Sequence, residues 1–152
     1  AGMTRVDWRS TFRQSIARIS WLAGAVLMFA FTLFLLLALV TYDANDDALN
    51  TAAAGVEGNW MGRPGALAAD LLYFVIGIGS IFLVPLMAVC AARMWRGDAQ
   101  PRWKRQFILM IAGMLTIGLA AEIWSPASAV LPAGWGGTIM LIIGATVTPL
   151  FN

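Results

Sequence analysis

From Ile19 to Tyr42 the chain runs for 24 residues without a charged side chain. About 20 apolar residues at 1.5 Å each cover a hydrocarbon core of roughly 30 Å, so this run predicts a membrane-spanning helix. Trp21 and Tyr42 bracket it, where aromatic rings favour the two interfaces. The run is too long for the apolar part of a cleavable leader, and no small-residue cleavage site precedes Asp43. The chain is 60% hydrophobic and 12% charged, against roughly 45–50% and about 25% in soluble domains. A soluble fold of 152 residues could not hide that much apolar surface. Lipid is therefore the solvent for part of it.

Residues 43–66 read as a polar loop with Asp43, Asp46, Asp47 and Glu57 against Arg63 alone. The loop closes in Gly62-Arg63-Pro64-Gly65, a turn that starts a helix with Pro64 near its first position. A second span follows over about 66–92, and Pro85 predicts a kink in its middle or cytoplasmic half. A third covers about 106–124. On it Ala112, Thr116 and Ala120 form a stripe at the spacing that lets helix backbones approach in lipid, although a chain this rich in Ala and Gly also yields such spacing by chance.

The two ends are less regular. Ahead of the first span, Trp8, Phe12, Ile16 and Ile19 share one helical face, with Arg5, Arg9 and Arg13 on a neighbouring one. That pattern suits an amphipathic helix with its arginines on lipid phosphates, or a plain cytoplasmic extension of the first span. The segment 123–152 has no charge, yet Pro126, Pro132, Pro149 and several glycines interrupt it. Hydropathy allows a fourth span over about 136–151; the punctuation allows a loop followed by an interfacial or re-entrant helix. The expected fold is an all-α integral membrane protein: three transmembrane helices (about 20–41, 66–92 and 106–124), an N-terminal amphipathic helix within 1–19, and an interfacial or re-entrant helix within 125–152.

Orientation follows from the ten basic residues. Arg5, Arg9, Arg13 and Arg18 precede the first span, and Arg93, Arg96, Arg102, Lys104 and Arg105 crowd the second loop. Only Arg63 lies in the first loop. The positive-inside rule puts the N-terminus and the second loop in the cytoplasm, and 43–66 outside.

Few chemistries fit these residues. The chain has no histidine, the commonest ligand for haem, zinc and copper, and one cysteine, Cys90, set in an apolar run as a packing residue. No metal or cofactor is expected. Asp43-Ala44-Asn45-Asp46-Asp47 begins like a calcium loop, but Ala48 stands where the loop needs Gly and Ala54 where it needs Glu. Lys104 follows no glycine-rich phosphate loop, and a net charge of +2 gives no sign of nucleic-acid binding. Asp70 and Glu122 both lie toward the outer end of their spans. Helix capping, or pairing with Arg63, is the favoured role over an ion or proton pathway.

The stretch Val40-Thr41-Tyr42-Asp43-Ala44-Asn45-Asp46-Asp47, then Asn50-Thr51-Ala52, Asn59-Trp60-Met61-Gly62-Arg63-Pro64-Gly65-Ala66 and Ala69-Asp70-Leu71-Leu72, resembles the start of the FtsK/SpoIIIE DNA translocases. Leu131-Pro132-Ala133-Gly134-Trp135-Gly136-Gly137 is similar to that family's glycine-rich segment after its third span. The resemblance covers roughly residues 20–152 and implies a four-span region that anchors the protein in the bacterial inner membrane, associates with itself and helps recruit division proteins. It makes 136–152 the extracytoplasmic segment ahead of the fourth span. The phosphate loop of the motor is not in this sequence.

The expected function is a non-enzymatic membrane anchor and assembly module, in contact with membrane lipids, with itself or with other membrane proteins. Its alternative is an accessory or scaffold subunit of a larger inner-membrane assembly, such as a respiratory or photosynthetic supercomplex. Arg63, Pro64 and Asp70 are the expected shapers of the outer surface, with Ala112, Thr116, Ala120 and Glu122 as further assembly candidates. Arg5, Arg9 and Arg13 are the expected lipid-facing basic residues.

Overall fold

The first helix, α1, runs unbroken from Trp8 to Val40, 33 residues or about 50 Å. That exceeds the hydrocarbon core by about 20 Å, so the amphipathic segment continues the first span as one helix. This is a computed structural model, and it describes residues 8–46, 58–97, 103–124, 131 and 133–147. Arg5, Asp47, Asn50–Ala52, Glu57 and Pro132 lie outside the described residues.

The second span is built from three pieces: α2 (Gly62–Ile76), a 3₁₀ segment (Gly77–Phe82) and α3 (Leu83–Arg96). The interruption therefore falls ahead of Pro85. That proline sits in the first turn of α3, where its missing N–H breaks no bond within the helix. Gly97, at φ 73°, closes α3 in the left-handed conformation, with Arg93 and Arg96 in the last turn facing the negative end of the helix dipole. The third span is α4 (Trp103–Trp124), and a short apolar helix, α5 (Gly137–Val147), follows. The 11 described residues of α5 span about 16 Å, half of a roughly 30 Å core.

Among the described residues, three helical stretches are long and apolar enough to cross a membrane: Phe12–Val40, Gly62–Arg96 and Lys104–Trp124. α1 lies along both α2 and α3, α4 packs on the 3₁₀ segment and α5, and α5 also packs on α2. Large apolar side chains face outward along the spans, Leu27 at 71% exposure and Ile108 at 65% among them. Lipid must cover them. Two hydroxyls inside the spans turn back on their own helix, Thr32 to the Met28 carbonyl and Thr116 to the Ala112 carbonyl (both 2.7 Å), which spares lipid an unmet donor.

The break in the second span has a specific cause. In an uninterrupted helix the Ile78 N–H would meet the Phe74 carbonyl. Here Ile78 donates instead to the Trp135 carbonyl (2.8 Å), and the Phe74 carbonyl accepts from the Thr138 hydroxyl (2.8 Å). The segment 133–138 thus supplies one acceptor and one donor for the pair that the break separates. Two glycines make this approach possible. Gly77 and Gly137 both have φ of 69°, and a Cβ on Gly77 would overlap the Trp135 carbonyl oxygen and the peptide joining Gly136 to Gly137. Glu122 adds a third tie from α4, accepting the Gly136 N–H at 3.2 Å. The C-terminal helix is docked on a gap in the second span, which is how non-helical backbone persists at membrane depth.

Candidate functional site

The polar groups concentrate where α1 ends and α2 begins, here called the acidic end. The last four carbonyls of a helix have no partner within it, and three of those in α1 are met by named groups. The Leu37 carbonyl accepts from the Thr41 N–H (3.0 Å) and hydroxyl (2.7 Å). The Ala38 carbonyl accepts from Asn59 Nδ2 (2.9 Å), and the Leu39 carbonyl from the Tyr73 hydroxyl (3.1 Å).

The residues that make these bonds are themselves fixed. Asn59 Oδ1 accepts the Met61 N–H (3.0 Å), and the Gly62 N–H returns to the Asn59 carbonyl (2.9 Å). Asp46 is buried, with Oδ1 on the Gly58 N–H (2.6 Å) and Oδ2 on the Asn59 N–H (2.9 Å). Asp43 Oδ1 accepts from the backbone and side-chain amides of Asn45, both at 2.9 Å. Gly62 has φ 61°, and a Cβ on Gly65 would overlap Asn59 Oδ1, so the turn demands glycine at both places. Asp43 and Asp46 therefore act as acceptors for amides, and Asp46 with Asn59 clamps the two helices together.

Beneath the clamp lies the buried core of Ala38, Leu39, Ala69, Tyr73 and Leu131. The rings of Tyr42 and Tyr73 meet at 4.9 Å between centroids, tilted by 58°. The Tyr42 hydroxyl donates to Asp70 Oδ1 across 3.4 Å. Burial, then the neighbouring Asp70 charge and this hydrogen bond, push the Tyr42 phenol up to about 12. Asp70 is only 2% exposed, and its Oδ2 takes no hydrogen bond among the described residues.

These residues coincide with the motifs that suggested a family, and the comparison with known proteins agrees. Residues 17–152 match the family described as the 4TM region of DNA translocase FtsK/SpoIIIE. The chain belongs to that family. It is 32% identical over 139 residues to a DNA translocase FtsK of Pseudomonas syringae pv. syringae, covering 85% of this chain and 17% of that one. A Rickettsia prowazekii DNA translocase FtsK is 28% identical over 120 residues, covering 78% and 16%. The chain thus spans about a sixth of the length of the curated relatives it matches. No solved structure matches it. As a 4TM region the chain is a multi-pass membrane domain, separate from the motor.

Within this FtsK-type region the expected residues fall out unevenly. Asp70 lies two turns into α2, past the free amides of the helix start, and its partner is Tyr42. Arg63 and Pro64 are exposed in the first turn of α2. Glu122 binds the Gly136 N–H. Ala112, Thr116 and Ala120 are exposed along α4, whose inward face carries buried Met114 and Gly118 instead. A Cβ on Gly118 would stand 3.1 Å from Met140 Cγ, and one on Gly79 2.9 Å from the Met114 carbonyl oxygen. Arg13 is exposed, and Arg9 lies in α1. Sequence reasoning missed Asp46, Asn59, Tyr73 and Thr138. The first two stood in the resemblance motif, and that was the available signal.

Proposed function

We propose that this chain is the anchoring and assembly module of an FtsK-type DNA translocase. It sits in the bacterial inner membrane with its basic end in the cytoplasm and carries no enzymatic step of its own. The observation that carries this reading is the clamp. Asp46 and Asn59 of the motif are committed to backbone partners that hold α1 against α2, a structural use rather than a chemical one. Orientation is supported by Arg13, Arg18, Arg93, Arg96, Lys104 and Arg105, which gather at the end away from the clamp. An assembly role is supported by the small-residue stripe on the exposed face of α4, which suits a partner helix in lipid.

Cysteine labelling of a Cys90→Ser background tests both parts in cells. A membrane-impermeant maleimide should label Asn45→Cys and spare Gly97→Cys; the reverse pattern overturns the orientation. Oxidative cross-linking from Ala112→Cys or Thr116→Cys should capture a neighbouring membrane helix. No adduct from either position removes the assembly surface from α4.

A further inference from the structure

At the basic end a cavity of about 510 Å³ opens between α1 and the end of α3, lined by Arg18, Trp21, Met94, Trp95 and Arg96. Trp21 and Met94 also line a second, apolar cavity of about 400 Å³ that continues between α1, α3 and α4 past Met28, Leu86 and Cys90. The two cavities adjoin at Trp21 and Met94, one with a charged lining and the other an apolar one. Arg93 takes no part in the mouth, because Nη1 donates to Gln106 Oε1 at 2.9 Å and so ties α3 to α4. From Arg96 to Leu86 the two cavities follow α3 for about 15 Å, the depth of one leaflet of a roughly 30 Å core.

We infer that this pair of cavities is a binding site for one anionic phospholipid, its phosphate between Arg18 and Arg96 and one acyl chain in the cleft beside Cys90. Each part matches that ligand. Two guanidiniums from different helices present forked donors to phosphate oxygens. Two tryptophans about half exposed, Trp21 at 52% and Trp95 at 56%, stand at the headgroup level, where amphipathic rings are stable. The interior is lined by apolar side chains, the Cys90 thiol and Gln106, whose Oε1 is taken by Arg93, and so fits hydrocarbon. A second copy of the chain would have to leave the two arginines uncompensated at the mouth, so lipid is the better match. The site differs from a diffuse basic surface because it joins two helices and has a defined interior.

Native mass spectrometry of the full chain in detergent, titrated with phosphatidylglycerol or phosphatidylcholine of equal chain length, tests the site. The chain should retain one phosphatidylglycerol with a roughly tenfold preference. The double variant R18Q/R96Q should lose that preference, while R13Q keeps it. Equal retention of the two lipids, or an unchanged preference in R18Q/R96Q, overturns the inference. Cys90, the single cysteine, gives an independent readout. Phosphatidylglycerol should slow its alkylation in the wild type and not in R18Q/R96Q; equal rates overturn acyl occupancy of the cleft. A Cys90–Cys90 disulfide formed on mild oxidation would assign the cleft to a second copy instead.

Discussion

Asn59 donates to the Ala38 carbonyl, accepts from Met61 and presents its own N–H to Asp46. Replacing it by Ala keeps the last bond and loses the other two, leaving a buried carbonyl without a donor. The expected cost is about 1–3 kcal/mol, read from reversible unfolding in detergent or bicelles. Asp46→Asn should also destabilise, since its amide NH2 would stand where one carboxylate oxygen accepts from Gly58 or Asn59, donor against donor. Tyr42 adds a pH dependence. Its folded pKa is raised from 10.0 to about 12, so the neutral phenol is the form the fold favours. That stabilisation is complete below about pH 10 and is lost as pH rises through about 12. Phenolate absorbance should show a late titration whose amplitude falls in Tyr42→Phe, where Tyr73 is the one phenol left.

At the scale of elements, the second span depends on a glycine-to-glycine contact. Gly77→Ala places a Cβ into the Trp135–Gly137 backbone at a positive φ, a conformation that costs about 1–3 kcal/mol before the clash is counted. The variant should free the segment 133–147 from α2, seen as increased alkylation of a cysteine introduced at Thr138. Gly113→Ala is the control, because nothing lies within 4 Å of its Cβ and helix propensity favours alanine. The three spans were legible from uncharged length alone, since lipid imposes that length whatever the packing. The form of the break was not. Pro85 drew the expectation of a kink in the middle or cytoplasmic half of the span, and an interruption does lie mid-span, but on Gly77-Ile78-Gly79-Ser80, which reads as ordinary apolar helix until a docking segment is known. The packing face of α4 was equally hidden, because a helix in lipid is apolar all round and carries no stripe that marks its inside.

For the molecule as a whole, the division between the ends is the main organising fact. The acidic end is tied by hydrogen bonds among Thr41, Asp46, Asn59 and Tyr73 over a small core, while the basic end is open and lined by arginine and tryptophan. The motifs marked the acidic end in the sequence, although the bonds were not readable there. They join residues up to 34 positions apart, and only the folded hairpin brings these together. The exchange of partners at Phe74 and Ile78 also places a clock on biogenesis. Thr138 is made 64 residues after Phe74, a lag of about 3–13 s at roughly 5–20 residues per second. During that interval the ribosome has delivered a second span whose partner for the gap does not yet exist. Either the span first inserts as an uninterrupted helix and unwinds one turn when the late segment arrives, or the insertion machinery shelters the gap until then.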